Sequence, residues 1–207
     1  MNKNKIDFAT NDKILYQVIC EASPQERQYL SSIISSKVSS NIQASEVDPI
    51  AITSEIQLMG GDTFFNKLRG HGVPYSEVAY DAAECLGIKV KGLSIDLLEE
   101  KIVNCVLKKH EETLSPTEKA EFERQISLAI ENGGGGVIGL DKERISSLMS
   151  QYLLIALLTR APAFLFPLLG QVLAALTVPF VFSGPAYRIT TPCVFVVALL
   201  RAKLKNR

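Results

Sequence analysis

From Ala161 to Tyr187 the chain runs 27 residues without a charged side chain, and no acidic residue follows Glu143. That length matches the ~20 apolar residues of a bilayer-spanning helix, but Pro162, Pro167, Gly170 and Pro179 interrupt it. A proline in a helix interior removes a hydrogen bond and clashes with the turn before it, at ~3 kcal/mol. Against this, the twelve Phe, Leu and Val residues between Phe164 and Phe182 favour an apolar medium by about 4 to 7 kcal/mol together. The longest proline-free piece, Leu168 to Val178, rises only ~16 Å against a hydrocarbon core of ~30 Å. Ser183-Gly184-Pro185 then turns the chain, and Thr191 with Pro192 signals a new helix start. Cys193 to Leu200 is apolar on every face, followed by Arg201, Lys203, Lys205 and Arg207 where they favour the helix C-terminal dipole. The expectation is a C-terminal hydrophobic helical hairpin rather than one straight span.

Two settings suit such a hairpin. It is either the buried core of a helical protein, wrapped by the helices before it, or an apolar surface that meets lipid. A basic tail beside an apolar hairpin is also what attachment to anionic lipid on a cytoplasmic leaflet uses, at ~1 kcal/mol per basic residue. On the lipid reading the contact residues are Phe164, Phe166, Phe180, Phe182, Arg201, Lys203 and Lys205, and the partner is anionic membrane lipid or an unidentified protein.

Charge divides the chain in the same place. Arg188, Arg201, Lys203, Lys205 and Arg207 give residues 161–207 a charge of +5, and because the chain is formally neutral, residues 1–160 carry −5. Overall neutrality with basic groups scattered along the chain is unlike the concentrated positive footprint of a nucleic-acid binder, so no nucleic-acid partner is expected. Cys20, Cys85, Cys105 and Cys193 have no paired spacing and only His71 and His110 to assist them. A disulfide framework or a metal site is therefore not expected, and each thiol reads as a small core hydrophobe. Met1 to Asn11 are largely polar, without an apolar h-region, so the expected setting is cytoplasmic and reducing, with peripheral attachment at the inner membrane on the lipid reading.

Elsewhere the apolar residues recur at helical spacing and no alternating strand pattern appears. A first helix is expected over about Lys13 to Glu21, with Ile14, Val18 and Leu15 inward. Ser23 caps a second with Pro24 at its first position, and Leu30, Ile33 and Ile34 form its stripe. Ser35 to Ser45 reads as a loop. Asp48 and Pro49 open a helix that ends at Gly60 and Gly61, one short helix spans Asp62 to Gly70, and another runs from Tyr75 to Leu86. The stretch from Ser94 to Glu112 lines up Ile95, Leu98, Ile102 and Cys105 on one face. Ser115-Pro116-Thr117-Glu118 is a capping box for a helix to about Ile130. Asn132 and Gly133 to Gly136 stop that helix, and Asp141 caps one to about Arg160. The organisation expected is a charged amphipathic region over residues 1–132, a glycine-rich hinge over 133–140 and a hydrophobic region with a basic tail over 141–207. The fold class is all-α, a multi-helix bundle of short amphipathic helices ending in the hydrophobic hairpin.

The densest polar chemistry lies in Gly60-Gly61-Asp62-Thr63-Phe64-Phe65-Asn66-Lys67-Leu68-Arg69-Gly70-His71-Gly72. Helical spacing brings Asp62, Asn66 and Arg69 to one side, and with Lys67 and His71 they form a candidate anion or ligand site that Tyr187 and Arg188 would close. The same residues serve structure equally well, Asp62 as an N-cap and Gly70 as a left-handed C-cap. No set of nucleophile, base and orienter is visible, so no catalytic residue and no cofactor are assigned. Gly134-x-Gly136-x-x-Gly139 has the letters of a dinucleotide fingerprint, but it follows a helix and reads as a linker. The glutamates from Glu99 to Glu123 read as a solvated face.

At the GGDTFFNKLRGHG segment followed by Tyr75, and again at Ser183-Gly184-Pro185-Ala186-Tyr187-Arg188-Ile189-Thr190 with Pro192, the chain resembles the YaaW-type family of uncharacterised bacterial proteins. The likeness extends over most of the chain, while Gly133 to Gly136 and the phenylalanine-rich hairpin depart from the glycine- and alanine-rich hairpin of that family. The resemblance implies a shared fold and a bacterial origin and transfers no activity. The functional expectation is an accessory or interaction protein that uses its hairpin at the cytoplasmic membrane face. The alternatives are a small-ligand or nucleotide-dependent activity at the GGDTFFNKLRGHG segment, and a wholly soluble helical interaction module.

Overall fold

A computed structural model describes residues 3–35, 42–60, 69–120, 124 and 187–205. Its ordered elements are all helices: α1 (Lys3–Asn11), α2 (Lys13–Glu21), α3 (Pro24–Ser35), α4 (Pro49–Met59), α5 (Tyr75–Cys85), α6 (Ile95–Thr113) and α7 (Tyr187–Lys205). The all-α expectation holds for them. The serine-rich loop at residues 36–41, the glycine-rich hinge, the helix expected to Arg160 and the first arm of the hairpin lie outside the described residues.

Local chemistry sets the helix starts. Asp12 caps α2 by accepting from Leu15 N, and Asp48 caps α4 by accepting from Ile50 N and Ala51 N, with Pro49 at the first position. Ser23 and Glu26 close a capping box on α3: Ser23 N donates to Glu26 Oε2 at 2.7 Å and Glu26 N donates to Ser23 Oγ at 3.3 Å. The box at Ser115 and Glu118 is present as well, at 2.9 and 3.4 Å. Gly87, just past α5, takes φ +79°, the left-handed turn that stops a helix cleanly.

The core is built around α7. Every residue from Ile189 to Leu200 is buried, and α7 packs against α2, α3, α4, α5 and α6. Phe195 sits at its middle, with Leu15 and Ile19 of α2, Leu30 and Ile34 of α3, Ile52 and Ile56 of α4, and Leu98 and Ile102 of α6 all fully buried in the same cluster. Burying a side chain of this size stabilises by about 1.5 to 3 kcal/mol, so a helix apolar on all faces belongs at the centre of five amphipathic ones. Thus the last helix of the C-terminal region is held among helices of the N-terminal region, and these described elements share one core.

Four local expectations need correction. The stripe of α2 is Leu15, Val18, Ile19 and Ala22, while Ile14 is exposed, because spacing of three, four and seven from Leu15 defines the buried face. Residues 3–11, read as a polar terminus, form α1, which buries Ala9 and packs on α4. Cys20 is exposed rather than core. Pro192 does not start a helix: α7 already runs from Tyr187 and continues through it. Packing along the following residues outweighs the one hydrogen bond that proline removes.

Candidate functional site

Asp12 joins three elements by one carboxylate. Besides capping α2 through Oδ1, it accepts through Oδ2 from Gln57 Nε2 of α4 at 3.1 Å and from the Tyr75 backbone N–H at 2.8 Å. The last bond satisfies an N–H at the start of α5, where the helix dipole favours negative charge and where Pro74 offers no side-chain cap. Fully buried Tyr75 then donates through Oη to Glu99 Oε1 at 2.8 Å. Glu99 Oε2 accepts from Arg201 at 2.5 Å, Arg201 also reaches Asp96 at 2.9 Å, and Lys205 meets Asp96 at 2.6 Å. On the other side of α7, Lys203 pairs with Glu26 of α3 at 2.7 Å, both side chains being under 10% exposed.

This network runs from α2 through α5 and α6 to the end of α7, and the sequence reading missed its inner half. Glu99 is only 5% exposed, not part of a solvated face. Its position carried the signal: it lies three, four and seven residues before Ile102, Val103 and Val106, inside the apolar stripe, where a carboxylate demands a donor or a counter-ion. Lys203 sits likewise three, four and seven residues after Leu200, Leu199 and Val196.

The environment tunes these groups in opposite directions. Burial pushes the Glu99 carboxyl up, opposed by the Arg201 guanidinium and the Tyr75 hydroxyl. Burial and the neighbouring Glu99 push the Tyr75 phenol well above its ordinary range. Burial also acts to raise Glu26, but Lys203 and the two Ser23 donors outweigh it and hold the carboxyl below its usual value. Asp96 is lowered, chiefly by Lys205 and then by Arg201.

The sequence-marked motif is described only at its ends. Asp62, Asn66 and Lys67 lie outside the described residues. Arg69 is exposed and Gly70 takes φ +76°, as a left-handed cap should. His71 stacks on Phe8 of α1 with ring centroids 4.0 Å apart, and its Nδ1 lies 2.8 Å from Gly72 O. A Cβ on Gly72 would fall 2.2 Å from the backbone carbonyl of Gln57, whose oxygen accepts from Val73 N at 3.0 Å. A Cβ on Gly60 would fall 2.5 Å from Val73 Cγ2. The motif glycines described thus let residues 70–75 turn and lie flat against the end of α4. Tyr187 and Arg188 belong to the first turn of α7. Among the described residues no group of three or more His, Cys, Asp or Glu side chains is arranged to hold a metal.

Of the residues expected to contact a membrane, Phe164, Phe166, Phe180 and Phe182 lie outside the described residues, whereas Arg201, Lys203 and Lys205 are engaged by Asp96, Glu99 and Glu26. Among the described residues no helix is long and apolar enough to cross a membrane.

No family model matches the chain, and no solved structure does. Curated proteins do. Over 164 residues the chain is 30% identical to the UPF0174 protein YaaW of Escherichia coli (strain K12), a span covering 72% of this chain and 69% of that protein. It is 28% identical over 186 residues to a UPF0174 protein of Helicobacter pylori (strain J99), covering 76% of this chain and 89% of that one. A UPF0174 protein of Helicobacter pylori strain 26695 is 27% identical over 189 residues, 77% and 90% of the two chains.

Proposed function

The chain belongs to the UPF0174 family of YaaW-type bacterial proteins, and from that premise we propose that it is a non-enzymatic accessory protein whose helical bundle presents the uncharged region before α7 to the cytoplasmic face of the membrane. One observation carries this reading. The 27-residue uncharged run leads directly into α7, and α7 is the most deeply buried of the described helices, fixed by apolar packing and by ion pairs to two other helices. A rigid anchor at its end lets an apolar segment bear on a surface without being pulled free. The run's sequence, with Phe164, Phe166, Phe180 and Phe182 and no charge, suits a lipid interface or an apolar protein face.

The alternative of a ligand-dependent activity at the GGDTFFNKLRGHG segment draws less support, since close packing accounts for Gly60 and Gly72, a left-handed backbone accounts for Gly70, and stacking on Phe8 accounts for His71. Liposome flotation tests the reading. The intact chain is expected to float with phosphatidylglycerol-containing vesicles, and a variant with the four phenylalanines changed to serine to remain in the load fraction with an unchanged helical circular dichroism spectrum. A wild-type chain that never floats rules the membrane out and leaves a soluble interaction module. Truncation at Arg160 would be a poor test, because it deletes the core helix.

A further inference from the structure

α1 is the most lightly held of the described helices. Of its described side chains only Ala9 is buried; Ile6, Phe8 and Thr10 are half-buried and the others are exposed. The Thr10 hydroxyl donates back to Ile6 O at 3.0 Å and Asp7 O at 3.2 Å, so it fastens α1 to no other element. Nine residues are too few for a helix to stand alone in water. α1 therefore exists by docking, chiefly on α4 and α2, and Phe8 lays its ring on His71 with the planes 16° apart. The ground beneath is fixed separately. Gly72 lies against the Gln57 carbonyl, Val73 N donates to Gln57 O at 3.0 Å, and the Asp12 carboxylate holds Gln57 Nε2 and Tyr75 N. None of these bonds involves a residue of α1.

We infer that α1 is a strap over His71: it opens about Asp12 as a unit while α2 to α7 stay folded, and its opening uncovers the imidazole face that Phe8 covers. Asp12 suits a hinge, being the single residue between α1 and α2, with its carboxylate anchored to α4 and α5 whether the strap is open or closed. Opening gives up one buried alanine, part of Phe8 and Ile6, and one aromatic pair. Freeing α7 would instead expose every residue from Ile189 to Leu200. Stability is spread unevenly through a fold, and an element with few buried apolar contacts opens first. The strap lies on the described end of the GGDTFFNKLRGHG segment, so access to His71 there is set by α1. This holds whether or not the chain meets a membrane.

The test is native-state hydrogen exchange on the full chain across low urea, paired with acylation of histidine by diethyl pyrocarbonate. The α1 amides are expected to exchange ahead of those of α7 and with a much shallower urea dependence, since a local opening exposes little surface. Phe8→Ala, which removes the stack and part of the docked area, is expected to raise both α1 exchange and His71 acylation about tenfold. Protection in α7 should not change, and His110, the other histidine of the chain, serves as the reference for reagent activity. A urea dependence in α1 as steep as that in α7 would mean that α1 opens only with the whole bundle, and overturns the inference. It is overturned equally by a Phe8→Ala chain that loses protection in α7 as much as in α1, or by one whose His71 reacts no faster.

Discussion

Single charges inside this bundle act through the partner they face. Lys203 and Glu26 meet at 2.7 Å with almost no solvent between them, so removing one leaves the other buried and alone. Lys203→Met is expected to cost about 3 to 5 kcal/mol in urea unfolding. The double variant Lys203→Met with Glu26→Gln is expected to recover most of that loss, because glutamine keeps the cap to Ser23 and methionine fills the space of the lysine stem. If the double variant is no better than the single, the damage is packing and not charge. Gly72→Ala isolates a backbone cause: its Cβ would meet the Gln57 carbonyl at 2.2 Å, and the loss is expected to be about 3 kcal/mol, at the upper end for overpacking. The sequence marked Gly72 as part of a polar motif, but the reason for it is a contact with a residue fifteen positions earlier. Spacing along one segment does not reveal such contacts.

Helices of this chain were legible where their signals are local. Asp48-Pro49, Ser23-Pro24 with Glu26, and Ser94 before Ile95 mark starts that the structure keeps, and Gly87 marks a stop. Legibility ended where an element depends on distant partners. α1 has no strong stripe and is formed against α4, with Phe8 on His71. α5 begins on a carboxylate borrowed from α2: Asp12 accepts from Tyr75 N across 63 positions. Neither fact has a trace within an 18-residue window. The shared carboxylate also sets an expectation for the element junction. Asp12→Ala should cost about 3 kcal/mol, more than the ~1 kcal/mol of an ordinary cap, because the α2 cap, the Gln57 amide and the α5 N-terminus lose their acceptor together. Hydrogen exchange should show faster exchange at the starts of both α2 and α5; protection lost in α2 alone would mean that the junction does not couple them.

At the scale of the molecule, the fully buried Tyr75 and the half-buried Tyr29 give the fold an alkaline limit. Tyr75 is raised well above its ordinary value by burial and by Glu99, and Tyr29 is raised to about 12, first by burial and then by Cys193. An unfolded tyrosine loses its proton near pH ~10, while these two keep theirs in the folded chain. Above that pH the unfolded state binds fewer protons than the native one, so stability falls as pH rises above ~10, through about 12 for Tyr29, and with the same sign for the raised Tyr75. The acid side has the opposite sign for Glu26: its lowered value contributes stability present above the ordinary carboxylate range and lost as pH falls through the folded value. Glu99, raised by burial, works against that acid loss. Both tyrosines face α7 or its ion-pair partners, so their ionisation acts on the helix that holds the bundle together. Urea unfolding from pH 9 to 12 should therefore show a fall in stability that is shallower in Tyr75→Phe, even though that variant starts lower by the lost bond to Glu99. An unchanged slope would show that Tyr75 does not titrate in the unfolding transition and that the alkaline limit lies with Tyr29 instead.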